Sequence, residues 1–271
     1  MNYDRAMVNT EPGGEASNLD IQSVSRVGQI LAVFGPRTVE LTAADVAERV
    51  GLNRTTAYRY CASMVTAGLL ERGHRKGTFT LGGLMLQLGI HALHRKRVVD
   101  VAPGYLDELA RVTGTTAVLS LWGVDRPVVA LVQENPARAV VVTVRPGTQL
   151  DLSAAQTRVF LAHLTDHPTV ERMMEPLSAP ERAEFEAAIY TARRTGYYVS
   201  KLPDGIYGAA APVFDEYGIC ATVALLGSEL GADLSPGSPL LSALTSTAAA
   251  LGAELAGREG DPNEKLRRAA E

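Results

Sequence analysis

The sequence lacks the features that place a protein in a membrane or in an oxidising compartment. No apolar run reaches the roughly 18 residues that a helix needs to span a bilayer, and the first twenty residues have no basic start followed by an apolar stretch, so no secretory signal is expected. The only cysteines, Cys61 and Cys220, are too few and too far apart for a disulfide framework. These absences predict a cytoplasmic protein with no membrane partner.

Signatures of common enzyme classes are also missing. There is no G-x-S-x-G motif, no phosphate-binding loop and no dinucleotide fingerprint. His163 and His167 have the spacing of the zinc motif H-E-x-x-H, but Leu164 stands where the Glu is needed. His91 and His94 lack Cys or carboxylate partners at suitable spacing and are interpreted as surface residues. The sequence therefore predicts no catalytic residue, no metal and no cofactor.

Charge is unevenly distributed along the 271 residues, although the whole chain is only at −4. Residues 21–97 carry 11 Lys and Arg against 4 Asp and Glu, a net of +7, whereas residues 98–271 carry 14 against 22, a net of −8. The basic segment can neutralise phosphates, and the acidic one is not expected to lie on DNA. Two domains with different tasks are predicted, which the length allows.

Helix signals in the basic segment predict a helix-turn-helix. Thr42 and Asp45 resemble a capping box for one helix, which ends at Gly51. Asn53 then caps a helix over about residues 54–67. Two helices joined by such a short turn form the helix-turn-helix arrangement of DNA-binding proteins.

Three further elements complete the basic segment. Apolar spacing predicts a preceding helix that starts near residue 23 or 25 and stops before Gly35. Residues 69–82 hold a Gly-bracketed basic turn between apolar residues, which predicts a β-hairpin wing, and a helix is predicted over about residues 83–95.

The acidic segment predicts an antiparallel sheet with helices, so the chain as a whole is of the α+β class. Helices are predicted over about residues 98–113, 153–164, 180–195 and 240–255, and strands over 117–122, 128–132, 139–144, 206–213 and 219–226.

The helix over residues 54–67 has one apolar stripe and one polar face. Its predicted buried residues are Ala57, Cys61, Met64 and Val65. The polar face lies near the N-terminal end, which enters the major groove in helix-turn-helix proteins. A solvated helix face is the alternative for this helix taken alone, but the capped helix, short turn and basic wing coincide with it. The predicted DNA-binding residues are Arg54, Thr55, Thr56, Tyr58, Arg59, Arg75 and Lys76.

An ordered series of stretches over about residues 23–257 carries a family resemblance. They are SRVGQILAVF, LTAADVAERVGLNRTTAYRYCASMVTAGLLER, FTLGGLMLQLG, the run over residues 102–114 leading to TAVLSLWG, and GIYGAAAPVFDEYG. The series resembles the IclR family of transcription regulators. The resemblance implies a winged helix-turn-helix, a linker helix and a C-terminal GAF-like effector-binding domain, with dimers or tetramers on DNA. It also places Arg54, Thr55, Thr56 and Arg59 where the family has its recognition residues.

The resemblance further implies a site for a small organic acid between the sheet and the first mid-domain helix, whose N-terminal N–H groups suit a carboxylate. Gln156-Thr157-Arg158 departs from the family's Gly-Lys-Ala run. Ser200-Lys201 stands where acid-sensing members have polar side chains after a Gly-aromatic pair, and Gly208 stands where they have a Cys. With an apolar facing strand, these departures favour a bulkier, aromatic acid or amide-like ligand over a tiny polar acid. The alternative is that the predicted pocket is packed core. The predicted effector-binding residues are Asp151, Leu152, Ser153, Ala154, Ala155, Lys201, Gly208, Ala209, Val223 and Leu225.

The predicted organisation is a flexible tail (1–20), a winged helix-turn-helix (21–82), a linker helix (83–97), an effector-binding domain (98–257) and a second flexible tail (258–271). The predicted function is ligand-responsive regulation of transcription: a repressor of a catabolic operon that binds a palindromic DNA operator as a homodimer or homotetramer. The alternative is a small-molecule sensor or enzyme domain with an appended DNA-binding module.

Overall fold

The computed structural model describes residues 21–137, 141–165, 167–202 and 205–257. The chain divides into two compact units between Gly89 and Ile90. Both predicted tails lie outside the described residues. Within the described ranges, no helix combines the length and the hydropathy that a bilayer crossing requires.

The first unit packs helices on a small sheet. Its elements are α1 (Gln22–Ala32), β1 (Leu41–Thr42), α2 (Ala43–Val50), α3 (Arg54–Thr66), β2 (Leu70–Arg72) and β3 (Thr78–Leu81), and α4 (Gly83–His94) follows them. The sheet is antiparallel in the order β1-β3-β2. Ile30, Val46, Cys61 and Phe79 are buried in the core between the helices and this sheet. The helix-turn-helix and the wing hairpin are therefore confirmed, and β1 adds a strand that the sequence reasoning missed.

The cap residues of α2 and α3 act as predicted. The Thr42 side chain accepts a hydrogen bond from the Asp45 backbone N–H (3.2 Å), and the Asp45 carboxylate accepts one from the Thr42 backbone N–H (2.8 Å). Gly51 ends α2 in the left-handed region, at φ 69°, which glycine adopts without a steric penalty. Asn53 accepts a hydrogen bond from the Thr56 backbone N–H (2.8 Å) and so caps α3. These local bonds fix the turn between the two helices.

The second unit is a five-stranded antiparallel sheet, in the order β5-β4-β8-β7-β6, with helices on both faces. Its elements are α5 (Arg97–Thr113), β4 (Thr116–Trp122), β5 (Pro127–Gln133), α6 (Ala155–His163), α7 (His167–Met174), α8 (Ala179–Thr195), β6 (Tyr198–Leu202), β7 (Ile206–Asp215), β8 (Gly218–Ser228) and α9 (Pro239–Ala256). The α+β class is confirmed. The short strand β6 and the helix α7 were not predicted.

The two faces of this sheet carry separate cores. Helices α5 and α9 cover one face, where Tyr207, Val223 and Leu225 are buried. Helix α6 covers the other face, where Ala210 and Ala224 are buried. Because side chains alternate along a strand, neighbouring residues of β7 and β8 serve opposite cores. This alternation decides which side chains can face a ligand beside α6.

The strand predicted over residues 139–144 is wrong for its described part, since residues 141–144 belong to no strand. The free edge of β5 is instead met by the chain just after them. The Val129 N–H donates to Thr148 O (2.9 Å), and the Gly147 N–H donates to Val129 O (2.8 Å). The start of the free edge of β5 is thus occupied by the turn that follows the β-branched residues.

Candidate nucleic-acid interface and effector site

The polar face of α3 is exposed where the sequence predicts it. Arg54, Thr55, Tyr58 and Arg59 are exposed, whereas Thr56 is half-buried. The opposite side holds the fully buried Ala57, Cys61 and Met64, and Val65 packs at the edge of the same core. The buried stripe orients the helix, and the capped N-terminal end is left open to a partner.

The turn of the wing is anchored by Glu40, which precedes β1. Its carboxylate accepts hydrogen bonds from the His74 backbone N–H (2.9 Å), the Thr78 hydroxyl (2.9 Å) and Arg75 Nε (3.2 Å). These bonds, the one from His74 above all, lower the pKa of Glu40 to about 2. The wing is thereby tied to the strand before α2, and the sequence reasoning did not identify Glu40 because its partners lie more than thirty positions away.

The two basic residues of the wing turn differ in their surroundings. Arg75 and Lys76 are both exposed, but the Arg75 guanidinium pairs with Glu40. A pair this exposed is screened by solvent and holds its partner weakly. Arg75 therefore stays available to a phosphate, with part of its charge offset.

A further basic residue, Arg72, joins the wing to α3. Its guanidinium carbon lies 4.8 Å from the Phe79 ring centroid and 5.9 Å from the Tyr58 ring centroid, within the range of a cation–π interaction. Tyr58 also meets Phe79 edge to face, with 6.3 Å between the centroids. The stack fixes Tyr58 between the helix and the wing. Arg72 was not among the predicted residues. The available signal in the sequence was its positive charge within the predicted wing, because its contacts with Tyr58 and Phe79 depend on tertiary packing.

The predicted effector residues before α6 form a structured loop. The Ser153 backbone N–H donates to Asp151 Oδ1 (2.9 Å), and the Thr157 hydroxyl donates to the Asp151 carbonyl (2.7 Å). No side chain caps α6, whose N-cap residue is Ala154, so its first N–H groups keep their capacity to bind an anion. Asp151 and Leu152 also line a cavity of about 510 Å³, and Arg126 and Arg172 are among its other lining residues.

Four of the predicted effector residues do not face α6. Ala209, Val223 and Leu225 are fully buried in the core under α5 and α9, because the residues that point toward α6 are their neighbours Ala210 and Ala224. Lys201 pairs in register with Tyr207, on the same side as that opposite core, and its ammonium group is held by Glu229 at 3.1 Å. The prediction that these four residues line a pocket beside α6 is therefore wrong.

Gly208 is correctly oriented, and two serines accompany it on this face of the sheet. A Cβ atom at Gly208 would meet no atom within 4 Å, so open space lies beside it. Ser200, its register partner on β6, and Ser120 on β4 are buried, and among the described residues neither hydroxyl has a hydrogen-bond partner. Nearby, Gln156 Nε2 donates to the Thr222 hydroxyl (3.2 Å). Of the neighbours Ser200 and Lys201, the predicted effector residue is Lys201, whereas Ser200 is the one on the same face as Gly208.

The surroundings of three histidines from the two sequence pairs are described, those of His163, His91 and His94. His163 is half-buried and stacks edge to face on Phe214, with 5.1 Å between the ring centroids, and burial lowers its pKa. His91 and His94 are exposed at the end of α4. In the described ranges, no three His, Cys, Asp or Glu side chains are grouped so that they would hold a metal ion.

Comparison with known proteins identifies the class. The IclR helix-turn-helix domain matches residues 23–74, and the bacterial transcriptional regulator IclR C-terminal domain matches residues 90–251. The transcriptional regulator XynR of Escherichia coli is 24% identical over 205 residues, covering 72% of this chain and 81% of XynR. A Silicibacter regulator of the same family superposes with a TM-score of 0.77 at 20% identity, covering 86% of this chain and 96% of that one.

A further solved structure is an IclR homologue from Microbacterium hydrocarbonoxydans in complex with 4-hydroxybenzoate, with a TM-score of 0.69 at 20% identity, covering 86% of this chain and 98% of that one. This chain belongs to the IclR family of transcription regulators. It is a regulator with a helix-turn-helix DNA-binding domain and a C-terminal effector domain. The prediction that it is not an enzyme is confirmed, since the matched domains and relatives are regulators of transcription.

Proposed function

We propose that this protein is a cytoplasmic, ligand-responsive repressor of a catabolic operon. In this proposal residues 21–82 bind a palindromic operator, residues 83–97 link the domains, and residues 98–257 bind the effector. The observation that carries the proposal is the exposed N-terminal face of α3 beside a basic wing that Glu40 anchors. Direct base contacts need side chains held in place before binding, and the caps and the aromatic stack supply that order.

The proposed DNA contacts combine base reading with phosphate binding. Arg54 and Arg59 offer guanidinium groups that read guanine edges or hold phosphates, and Thr55 offers a hydroxyl and a methyl group. Arg72 joins them as a phosphate contact, because it lies at the junction of α3 and the wing. The full proposed set is Arg54, Thr55, Thr56, Tyr58, Arg59, Arg72, Arg75 and Lys76.

The test of this interface is the Arg59→Ala variant, with Arg111→Ala as control, since Arg111 is an exposed arginine of the acidic unit. We expect Arg59→Ala to weaken operator binding by about 1–3 kcal/mol and Arg111→Ala to leave it unchanged. Fluorescence anisotropy at 50 to 200 mM salt measures both. Wild-type affinity in Arg59→Ala across this salt range removes Arg59 from the interface.

We further propose that the effector is a small aromatic acid bound between α6 and the sheet. Its acidic group would meet the uncapped N-terminus of α6, and its ring would lie over Gly208, within reach of the unpartnered Ser200 hydroxyl. The orphan hydroxyl supports a polar ligand, since a buried group of this kind costs free energy until it is paired. The fold shared with the 4-hydroxybenzoate-bound homologue makes that acid the first probe.

The pocket is tested by Gly208→Leu, with Gly104→Leu as control, because a Cβ atom at Gly104 also meets no atom within 4 Å. Calorimetry with 4-hydroxybenzoate and related aromatic acids should show binding to the wild type and to Gly104→Leu, and none to Gly208→Leu. All three proteins should bind the operator. A folded Gly208→Leu variant with unchanged affinity for the acid places the pocket elsewhere.

We also infer that the protein is a homodimer or homotetramer that assembles through α4. None of its residues is buried, although Leu86, Leu88 and Ile90 are large and apolar. A helix that is apolar on several sides is stable in water only when another surface buries its apolar side chains. A second copy of the chain would supply that surface.

A further inference from the structure

An open groove lies on the surface of the first unit, between α1 and α3. Its volume is about 620 Å³. Val24 and Val27 line it from α1, and Thr56, Arg59 and Tyr60 line it from α3. The groove therefore shares Thr56 and Arg59 with the proposed DNA-binding face of α3, so whatever occupies the groove also bears on DNA binding.

The α1 side of the groove is apolar and open to solvent. Val24 is 65% exposed, and Ile21, at the N-cap position of α1, is 66% exposed. Val27 is half-buried and packs at the edge of the core of this unit. Exposed apolar side chains beside a groove are typical of a surface that another segment covers.

The α3 side of the groove supplies positive charge. Arg59 lines the groove, and Arg54 begins the same helix. Both are exposed, and among the described residues neither forms a salt bridge. An occupant complementary to both sides should therefore combine apolar side chains with acidic ones.

The chain itself contains a segment of this composition. Residues 1–20 carry one Arg against four Asp and Glu, a net charge of −3, whereas residues 21–97 carry +7. The same segment has large apolar residues near its start, namely Tyr3, Met7 and Val8. It thus offers both kinds of side chain that the groove calls for.

The segment also joins the folded unit beside the groove. It continues directly into Ile21, three positions before Val24. Pro12-Gly13-Gly14 is a sequence at which chains commonly reverse direction. From Gly14 to Ile21 an extended chain reaches up to about 24 Å, and two packed helices lie only about 8–10 Å apart. The residues before Pro12 can therefore reach both sides of the groove.

We propose that residues 1–20 bind in the groove between α1 and α3, cover Thr56 and Arg59, and so compete with DNA for α3. The apolar residues of the segment would pack on Val24 and Val27, with its carboxylates near Arg59. Competition should act mainly against DNA of arbitrary sequence, whose binding is electrostatic, because an operator gains base contacts that displace the segment. The competition rests on the proposed DNA-binding face, whereas the binding of the segment in the groove does not.

The binding of the segment is tested on the full chain without DNA, by NMR of valine methyl groups. The double variant Tyr3→Ser/Met7→Ser removes two large apolar side chains and leaves the net charge unchanged. It should shift the methyl resonances of Val24 and Val27 and leave those of Val112, an exposed valine of the second unit, in place. Tyr190→Ser, at an exposed tyrosine of the second unit, is the control and should leave Val24 and Val27 unshifted.

The competition is tested with a short DNA duplex of random sequence at low salt. Tyr3→Ser/Met7→Ser and Val24→Ser should each bind it about fivefold more tightly than the wild type, the effect expected if the segment masks α3 roughly four-fifths of the time. The variant with all three substitutions should bind no more tightly than either, because both changes remove one contact. Val112→Ser should bind as the wild type does.

Unchanged Val24 and Val27 resonances in Tyr3→Ser/Met7→Ser would overturn the proposal. So would shifts that depend on protein concentration, since a second copy of the chain would then occupy the groove. Methyl shifts without any gain in affinity for the random duplex would overturn the competition with DNA. If Arg59→Ala then also binds the operator as the wild type does, the error lies in the proposed DNA-binding face and not in the binding of the segment.

Discussion

At the scale of single residues, one acidic side chain sets the geometry of a basic DNA-binding surface. Glu40 brings a negative charge to the wing, and this charge by itself disfavours DNA binding. Its carboxylate, however, accepts hydrogen bonds from the backbone N–H of His74 and the hydroxyl of Thr78. Its side chain is 14% exposed, against 73% for Arg75. The Glu40 carboxylate therefore lies inside the turn, while most of the Arg75 side chain is exposed. The wing turn is held in place, and the positive charge of Arg75 stays accessible.

The anchoring role of Glu40 predicts different results for two substitutions. Glu40→Gln keeps an acceptor oxygen and removes the charge, so operator binding at low salt should stay within about threefold of the wild type. Glu40→Ala removes the carboxylate that accepts from the His74 N–H, the Thr78 hydroxyl and Arg75 Nε, and it should weaken binding about tenfold, because a loosened wing must be ordered on binding. Anisotropy titrations measure both. Equally weakened binding in both variants would show that the charge, and not the anchor, matters, and wild-type affinity in both would show that neither does.

The pKa of Glu40 gives this residue a second observable. Because its folded-state pKa is lowered from 4.5 to about 2, its contribution to folding is complete above pH 4.5 and is lost as the pH falls toward 2. The carboxyl carbon of Glu40, followed by NMR, should accordingly titrate well below pH 4.5. A midpoint near 4.5 would mean that the bonds from His74 and Thr78 do not persist in solution.

At the scale of elements, the sequence predicts what local chemistry decides and fails where long-range pairing decides. The helices with caps were predicted within about two residues of their bounds, because Thr42, Asn53 and Gly51 act on their own turn. The strand predicted over residues 139–144, of which 141–144 are described, depended on pairing with a distant strand, and the chain around Gly147 is what bonds to the start of the free edge of β5. The face of β8 was undetermined for a similar reason: Val223 and Ala224 are both apolar and both buried, so no alternation marks the side toward α6.

The capping box of α2 supplies the prediction for this scale. Thr42→Ala removes the acceptor of the Asp45 N–H and should lower the local stability of α2 by about 1 kcal/mol. Hydrogen exchange of the α2 amides should then be about fivefold faster. Thr66→Ala is the matched control, because the Thr66 hydroxyl bonds only back to Ala62 O within α3. Unchanged exchange in Thr42→Ala would show that Asn53 and packing hold the helix-turn-helix without this cap.

At the scale of the whole molecule, charge and assembly act together. The segment 21–97 has a net charge of +7, a modest value for specific binding to duplex DNA by a single copy. A dimer doubles it and places two recognition helices on one operator, so the number of released counterions and the salt dependence rise together. The exposed apolar residues of α4 follow the DNA-binding unit directly in the chain, which is why we propose this helix as the contact between copies.

The last prediction separates assembly from DNA contact. Leu86, 66% exposed on α4, makes no contribution to the core of its own unit, so Leu86→Glu should fold normally and disrupt only the association of two copies. Light scattering at micromolar concentration should give a dimer or tetramer for the wild type and a smaller species for Leu86→Glu. Leu230→Glu, at a residue 95% exposed in the other unit, should assemble as the wild type does.

DNA binding gives a second readout of the same variant. Leu86→Glu should bind a single half-site about as well as the wild type, and it should lose most of its preference for the full palindrome, since the recognition helix of the second copy is no longer held beside the first. A monomeric wild type, or a Leu86→Glu variant that keeps both its mass and its preference for the palindrome, would rule out α4 as the assembly surface.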